Sequence, residues 1–231
     1  MESRSILEKI LVIIPAFNEE ENIEKLILRL KKILPLNNVL VIDDGSKDGT
    51  YNICLKYKGE GLKILKNDKN IGKGGALRRG FEYALKNHYH GVITLDADLQ
   101  HPPELIKKFT EKLKTAKCDM IIGSRKKEFS KMKFDRYLSN RLTTLFLSLL
   151  VRKKLLDSQS GFRYISTKIL KKLNLRTFNY QTESEILIQS VKKGFKICWV
   201  DIPVVFSKSS KIDKLKDTLR FIKMFMYYAF V

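Results

Sequence analysis

Two carboxylates separated by a single residue, Asp96 and Asp98, are the first candidates for chemistry in this sequence. They follow the apolar run Val92–Leu95, and side chains two positions apart on an extended segment point the same way. Like charges this close raise each other's pKa unless a cation lies between them, and Mg²⁺ is typically bound by one or two carboxylates plus substrate phosphates. The pair therefore predicts a metal site for a phosphate-bearing substrate, with Gln100 as a further oxygen ligand. The alternative is a strand ending in which Asp98 caps the next helix.

A second polar cluster begins at Pro15, directly after the apolar run Ile10–Ile14. A backbone turn at Pro15 and Ala16 would suit a nucleotide base, with Glu19 beside the nucleoside. A structural interpretation also accounts for the cluster, because Asn18 is a good helix N-cap and acidic residues in a first turn offset the helix dipole. The residues alone leave both interpretations open.

Two further loops follow apolar runs. In the segment 43–50, Asp-Asp-Gly-Ser-Lys-Asp-Gly-Thr, the Asp44 carboxylate could accept hydrogen bonds from a ribose or a base. The alternative is a glycine turn followed by a helix that Asp48 caps. Residues 70–75 are rich in glycine but lack the Gly-Lys-Ser/Thr ending of a P-loop. We interpret this second loop as a tight turn beneath the site, outside catalysis.

These clusters need a scaffold, and the first 122 residues alternate short apolar runs with stretches of helical spacing. Val- and Ile-rich strands that alternate with helices predict an α/β fold with a mostly parallel central sheet flanked by helices. In such sheets ligands bind beyond the carboxyl ends of the strands, where the polar clusters fall. The predicted strands are Ile10–Ile14, Val39–Ile42, Leu62–Leu65, Val92–Leu95 and Met120–Ile122, and the predicted helices are Glu19–Leu34, Asp48–Lys56, Gly75–Lys86 and Pro103–Ala116.

The pattern changes in the second half of the chain. It predicts a helix at Phe134–Val151, another around Thr182–Lys193, a strand at Ile197–Phe206 and an amphipathic helix from Lys211 onward. We expect residues 1–206 to form one catalytic domain, with an interfacial helix at 134–154 within it. Residues 207–231 are expected to form a basic amphipathic C-terminal helix.

The chain is strongly basic, and the excess charge is unevenly placed. Lys and Arg number 45 against 25 Asp and Glu, which gives a formal net charge of +20. Residues 123–231 hold 24 of the basic residues and only 8 of the acidic ones. This half suits an anionic partner such as a phospholipid surface, a lipid phosphate or nucleic acid, unless the excess reflects a Lys-rich proteome.

We predict a cytoplasmic protein, peripheral on the inner face of a membrane. The sequence has no signal peptide and no run of about 18 apolar residues. The three widely separated cysteines suggest buried thiols in a reducing compartment. The segments 134–154 and 211–231 could lie in a membrane interface, where each basic residue adds about 1 kcal/mol. Core packing, a docked helix or a homodimer contact are the alternatives, and the apolar end also fits a truncated chain or a separate transmembrane partner.

Taken together and in this order, five motifs resemble family 2 glycosyltransferases, above all the dolichol-phosphate mannose synthase and polyprenyl-phosphate glycosyltransferase branch. The motifs are Pro15-Ala-Phe-Asn-Glu19, Asp43-Asp-Gly-Ser46, Asn70-x-Gly-x-Gly-Gly-Ala76, Asp96-Ala-Asp-Leu-Gln-His-Pro-Pro-Glu104 and Gly123-Ser-Arg125. The resemblance runs from about Ile10 to Phe206. It implies a GT-A (nucleotide-diphosphosugar transferase) fold, Mg²⁺ or Mn²⁺ as cofactor, and inverting transfer from a UDP- or GDP-sugar to dolichyl or undecaprenyl phosphate.

The resemblance also implies roles for individual residues. Those expected to hold the nucleotide sugar are Pro15, Ala16, Glu19, Asp44 and Asp96. Those expected around the metal and diphosphate are Asp96, Asp98 and Gln100. With Asp98, the catalytic residues are expected to be Arg125, Arg136 and Arg141, which would meet the acceptor phosphate. Those expected on the acceptor side are Ser160, Gly161, Glu183 and Glu185, the first two within Ser160-Gly-Phe-Arg163, which matches a loop lining the same cavity.

One departure from the mannose synthases affects the donor. They carry a longer, arginine-bearing loop before a Ser-Lys pair, whereas Phe206-Ser-Lys-Ser-Ser-Lys211 is shorter. Lys208 and Lys211 are expected to contact the donor phosphates in its place. GDP-mannose therefore cannot be assumed as the donor.

The acceptor decides what chemistry the site must supply. A polyprenyl phosphate is largely ionised near neutral pH, because its second pKa is about 6, and it needs arginines rather than a base. A saccharide hydroxyl would need a carboxylate base, for which Glu183 and Glu185 are the candidates. Transfer to a saccharide is therefore the main alternative. A nucleotidyltransferase fits the order of the motifs less well. A non-catalytic nucleic-acid-binding protein is also disfavoured, because the sequence has no recognisable motif for reading nucleic acid.

Overall fold

A computed structural model describes residues 7–125, 128, 134–205 and 214–230. Its centre is a seven-stranded sheet with the spatial order β3-β2-β1-β4-β6-β5-β7. The strands are β1 (Ile10–Ala16), β2 (Val39–Asp43), β3 (Lys63–Lys66), β4 (Gly91–Thr94), β5 (Met120–Ser124), β6 (Arg163–Ser166) and β7 (Ile197–Asp201).

Helices cover both faces of the sheet. They are α1 (Glu20–Lys31), α2 (Thr50–Lys56), α3 (Lys73–Lys86), α4 (Ile106–Thr115), α5 (Phe134–Val151), α6 (Thr167–Leu170), α7 (Gln181–Lys192) and α8 (Lys214–Phe230). Alternate residues of β1 enter two different cores. Val12 and Ile14 pack with α1 and α4, whereas Leu11 and Ile13 pack with α3 and α7. A strand buried on both faces explains why β1 is almost continuously apolar.

Parallel pairing predominates, as the sequence predicts. β1 pairs in parallel with β2 and β4, β2 with β3, and β5 with β7. The expected mostly parallel sheet flanked by helices is therefore confirmed. The carboxyl ends of β1, β2 and β4 meet at one edge because these strands are neighbours.

One strand, β6, runs antiparallel between β4 and β5. The sequence interpretation placed Ser160–Arg163 in a loop and did not predict this strand, which spans only four residues and is too short for a periodic pattern. The predicted strand Ile197–Phe206 is shorter in the structure, ending at Asp201.

Two cysteines correct an expectation. Cys118 and Cys198 form a disulfide, with their Cα atoms 5.9 Å apart, so the prediction of three separate thiols is wrong for this pair. The pairing could not be inferred from a spacing of 80 residues, because it depends on β5 and β7 being neighbours. Cys54 is free and buried, and burial raises its pKa to about 12.

The C-terminal helix α8 docks on α7 through a polar contact. The Tyr228 hydroxyl donates to Glu185 Oε1 at 2.8 Å and accepts from Gln189 Nε2 at 2.7 Å. None of the helices in the described part of the chain is both long and apolar enough to span a bilayer. The predicted boundary at residue 206 lies outside the described residues, so the division into two segments stays a prediction.

Candidate active site

The loops that follow β1 and β2 are joined to each other. The backbone amide of Asn18 donates to Ser46 Oγ at 3.0 Å, and that of Lys47 donates to Asn18 Oδ1 at 2.9 Å. Asn18 is therefore not the N-cap of α1; Glu19 occupies that position. The Glu19 amide in turn donates to Thr50 Oγ1 at 2.7 Å. The two clusters expected to hold a nucleoside thus form one continuous surface.

Asp44 holds the glycine-rich loop in place. Its Oδ1 accepts from Asn67 Nδ2 at 2.6 Å and from the Ile71 amide at 3.0 Å, and its Oδ2 accepts from the Gly72 amide at 2.9 Å. Gly72 has a φ of +88°, a backbone conformation that favours glycine. Asp44 is only 3% exposed, and its contact with a nucleoside stays a prediction.

Three charged side chains from distant parts of the chain converge beside this loop. Lys73 Nζ lies 2.6 Å from Asp96 Oδ1 and 3.0 Å from Glu183 Oε1. A Cβ added at Gly161 would lie 2.8 Å from both Asp96 Oδ2 and Glu183 Oε1, and 3.0 Å from Lys73 Nζ. Position 161 therefore requires glycine, because the charged groups approach its backbone so closely.

The charges in this cluster stabilise one another's ionised forms. Burial opposes ionisation of Lys73, but Asp96 and Glu183 outweigh it and raise the pKa of the ammonium group. Burial likewise would raise the pKa of Asp96, yet Lys73 and His101 hold that pKa below its ordinary value. The sequence interpretation left Lys73 out of the site. The signal that could have found it is its place in the first turn of a helix that follows a glycine-rich loop.

Asp98 lies beside the cluster, close enough to Asp96 for their charges to repel each other. Gln100 donates to its two oxygens, from the backbone amide to Oδ1 at 3.0 Å and from Nε2 to Oδ2. Burial, and then the neighbouring Asp96, raise the pKa of Asp98 above its ordinary value. His101 is buried, which lowers its pKa, and its Nδ1 lies 3.6 Å from Asp96 Oδ2 with no hydrogen-bond partner among the described residues.

These residues fit a divalent cation that binds together with a diphosphate. In the described part of the chain, no group of three or more His, Cys, Asp or Glu side chains is arranged to hold a metal unaided. Mg²⁺, however, is usually bound by one or two carboxylates and takes its other ligands from phosphates and water. Asp96 and Asp98 would supply the carboxylates, and a cation would offset both the burial of Asp98 and its repulsion by Asp96, which raise its pKa. Gln100 is adjacent, with its amide nitrogen facing Asp98.

Arg125 is fixed by a bidentate ion pair with Asp157. Its Nε lies 2.8 Å from Oδ2 and its Nη2 lies 3.0 Å from Oδ1. The fully buried Asp157 carboxylate also accepts from Asn140 Nδ2 of α5 at 3.0 Å. Burial alone would raise the pKa of Asp157, but the Arg125 guanidinium lowers it. The ion pair therefore holds the Arg125 guanidinium in a fixed position, from which it would contact an acceptor phosphate.

Arg163, the first residue of β6, connects two segments that border the site. Its guanidinium donates to three backbone carbonyls, those of Ser160 at 2.7 Å, Ser158 at 2.8 Å and Glu183 at 2.5 Å. The side chain is only 1% exposed. Arg163 thus ties the loop that carries Gly161 to the first turn of α7. The Ser160–Arg163 motif identified this residue in the sequence, but not the inward direction of its side chain.

Four more cations are predicted to contact the substrates, Arg136 and Arg141 at the acceptor phosphate and Lys208 and Lys211 at the donor phosphates. Arg136 is half-buried and lies four residues before Asn140, on the same side of α5. Arg141 is exposed, with its guanidinium 5.8 Å from the centre of the Tyr137 ring. Lys208 and Lys211 lie outside the described residues. The roles predicted for these four cations stay predictions.

Glu185 makes its hydrogen bonds away from the charged cluster. It accepts from the backbone amides of Arg176 and Thr177, from the Thr177 hydroxyl at 2.6 Å and from the Tyr228 hydroxyl. In this structure Glu185 joins α7 to the preceding loop and to α8. Glu183, two residues earlier, faces Lys73, so the structure brings only one of the two glutamates to the cluster.

Comparison with known proteins shows the family of this chain. Residues 11–174 match the family model described as Glycosyl transferase family 2. The chain belongs to glycosyl transferase family 2. Within the family it is 32% identical over 220 residues to UDP-N-acetylglucosamine--dolichyl-phosphate N-acetylglucosaminyltransferase of Methanococcus voltae, covering 87% of each chain. It is 29% identical to the undecaprenyl-phosphate mannosyltransferase of Micrococcus luteus, covering 86% of this chain and 83% of that one. The expected likeness to the polyprenyl-phosphate branch of family 2 is confirmed.

A solved structure of another protein supports the architecture. The structure resembles glucosyl-3-phosphoglycerate synthase from Mycobacterium tuberculosis, crystallised with Mn²⁺, UDP-glucose and phosphoglyceric acid. The TM-score is 0.78 at 20% identity, over 100% of this chain and 83% of that one. At this identity the likeness concerns the fold alone, and it confirms the expected GT-A fold.

Proposed function

We propose that this family 2 glycosyltransferase transfers a sugar from a nucleotide-diphosphate sugar to a polyprenyl phosphate, with inversion at the anomeric carbon. One observation carries the lipid acceptor: the helix that holds the segment before Gly161 at the site, α5, has an exposed apolar face. Asn140 and Thr144 of α5 hold Asp157 and Ser158, which precede Gly161, while Leu142, Leu145 and Leu149 of the same helix are exposed. The two relatives named above, whose names specify dolichyl and undecaprenyl phosphate acceptors, support the same acceptor class.

The donor would bind across the ends of β1, β2 and β4. The loops after β1 and β2 supply the surface for the nucleoside, and Asp96 and Asp98 face its diphosphate. A divalent cation bound there, Mg²⁺ or Mn²⁺, would neutralise charge on the departing diphosphate. A bond forms between an acceptor phosphate oxygen and the anomeric carbon as the bond to the diphosphate breaks, and the nucleoside diphosphate leaves.

The acceptor phosphate needs no general base, and the nearby carboxylates are poorly suited to act as one. Glu183 is paired with Lys73, and Asp157 is paired with Arg125. A phosphate monoester is already largely ionised near neutral pH. The arrangement therefore favours a phosphate nucleophile over a saccharide hydroxyl, for which a free carboxylate would be required.

The apolar surface of α5 continues onto α8. Within the described residues, 11 of the 14 exposed large hydrophobic side chains lie on these two helices. They are Phe134, Leu138, Leu142, Leu145, Phe146 and Leu149 of α5, and Leu215, Leu219, Ile222, Met226 and Phe230 of α8. Basic residues flank this surface, and such a combination binds anionic bilayers. We infer that it rests on the membrane that holds the acceptor, on the cytoplasmic side.

Polar substitution on this surface should weaken membrane binding. The double variant Leu145→Ser, Leu149→Ser removes side chains that are 54% and 66% exposed. Because inserting an apolar side chain contributes about 1.5 to 3 kcal/mol, partitioning onto anionic vesicles should fall by at least about tenfold. Vesicle sedimentation measures it. The matched control is Leu28→Ser, Leu55→Ser, at exposed leucines outside the two helices, and equal partitioning of both variants would contradict the assignment.

The proposed function is tested by a transfer assay. Purified protein is given labelled UDP- and GDP-sugars in turn, with dolichyl or undecaprenyl phosphate and Mg²⁺ or Mn²⁺, with EDTA controls and organic extraction. Metal-dependent label in the lipid phase is the expected result, and it identifies the donor at the same time. Nucleotide release without labelled lipid would contradict the lipid acceptor and favour a saccharide acceptor. No turnover of any donor would contradict the proposal.

A further inference from the structure

We propose that Lys73 and the divalent cation exchange at Asp96. The ammonium group neutralises this carboxylate when the metal is absent and leaves it when the metal binds. The inference rests on the proposed function, which requires a cation at Asp96 and Asp98. It adds that the chain carries its own replacement for that cation.

The contacts of Lys73 are those of a counter-ion. Its Nζ lies 2.6 Å from Asp96 Oδ1, and the side chain is 15% exposed. Asp96 and Glu183, both partly buried, would otherwise leave two negative charges next to each other and near Asp98. An uncompensated buried carboxylate is costly, so a cation at this position stabilises the site both with and without bound metal.

The lysine and a metal ion compete for the same oxygens. The Gly161 backbone closes one side of the cluster, since even a single added carbon there would lie within 3.0 Å of all three charged groups. Asp96 Oδ1 is already in contact with Nζ. A divalent ion carries twice the charge of the ammonium group and can bridge to Asp98, so it should win when its concentration is high enough.

Lysine suits the exchange better than arginine would. Its charge is a compact point on a flexible stem, whereas a guanidinium is a rigid fork. Glu183 offers a second partner at 3.0 Å, so Lys73 need not become unpaired when it releases Asp96. The freed ammonium group remains at the N-terminal end of α3, within the site, where the donor brings two phosphate groups. Exchange would thus couple the arrival of the metal to the availability of a phosphate-binding cation.

Chemical labelling of the unsubstituted protein tests the exchange without any risk of misfolding. The protein is acetylated briefly with an amine-reactive ester, and the labelling of individual lysines is read by mass spectrometry. Lys73 should react slowly in EDTA and about fivefold faster in saturating Mn²⁺. The exposed Lys69, four residues earlier, is the internal reference and should not change. Unchanged or slower labelling of Lys73 in Mn²⁺ would overturn the proposal.

Metal affinity gives the second measurement. Free Mn²⁺ is counted by its paramagnetic resonance signal during titration of the wild type, Lys73→Met and the control Lys69→Met. Lys73→Met should bind Mn²⁺ about five- to tenfold more tightly than the other two, because a competing cation is gone. Equal affinities, or no detectable Mn²⁺ on any of the three without nucleotide, would overturn the exchange.

A titration in the presence of UDP separates this inference from the proposed function. If Mn²⁺ binds with UDP but Lys73 neither competes nor changes in reactivity, only the exchange fails. If no Mn²⁺ binds even with UDP, the metal assignment of the proposed function fails as well.

Discussion

Asp98→Asn should lower sugar transfer by about two to three orders of magnitude, the usual loss when one electrostatic stabiliser of a departing group is removed. The substitution keeps the shape of the side chain and removes the charge that would face the metal and diphosphate. Transfer to lipid measures the effect at saturating donor and metal. Asp68→Asn, at an exposed acid in the loop before α3, serves as the control and should retain wild-type activity.

The same variant should fold as well as the wild type. Because the folded-state pKa of Asp98 is raised, its ionisation opposes folding once the pH exceeds the unfolded value of about 3.9. The neutral amide avoids this penalty, so the free energy of unfolding at pH 7 should be equal or higher. Thermal unfolding checks the result. Full activity in a folded Asp98→Asn protein would remove Asp98 from the metal site.

Arg163→Met should lower the free energy of unfolding by about 3 to 5 kcal/mol. The substitution leaves the three carbonyls of Ser158, Ser160 and Glu183 without their donor in a buried place. Methionine keeps much of the apolar volume, so the loss reports mainly on the hydrogen bonds. Urea unfolding at neutral pH gives the difference.

Arg152→Met is the matched control, because that arginine is exposed near the end of α5. Its free energy of unfolding should change by less than about 0.5 kcal/mol. Arg163→Lys should fall between the two, since a single ammonium group cannot reach three carbonyls in the geometry of a planar fork. If Arg163→Met lowered the free energy of unfolding by less than about 1 kcal/mol, the three carbonyls would have found other donors. Arg163 would then not support the site.

The sequence predicted the elements with strong local signals. Continuous Val and Ile runs identified β1, β2, β4 and β5, and the order of the polar clusters placed Asp96 and Asp98 at the ligand-binding edge. These features depend on residues that are close in the chain. The expectation of a mostly parallel sheet then followed from the alternation of strands and helices.

What the sequence did not reveal depends on long-range contacts. Lys73 meets Glu183 across 110 residues of chain, and Asp157 meets Arg125 across 32. Neither contact leaves a periodic pattern. Glu183 and Glu185 looked equivalent in the sequence, yet residues two apart on a helix face different directions. Only the packing of α7 shows that one turns to the site and the other to α8.

The antiparallel strand β6 has a consequence for how the chain folds during synthesis. β1 to β4 can assemble from residues that leave the ribosome early, because each of them pairs with at least one other of these four strands. β5 cannot, since its neighbours β6 and β7 both follow it in the chain. Until Arg163–Ser166 has emerged, β5 cannot join β4 through the sheet, and the apolar residues of β5 lack the neighbouring strands that cover them. The two halves of the sheet are therefore united late, by four residues, and the Gly161 backbone can reach Asp96 only as that junction forms.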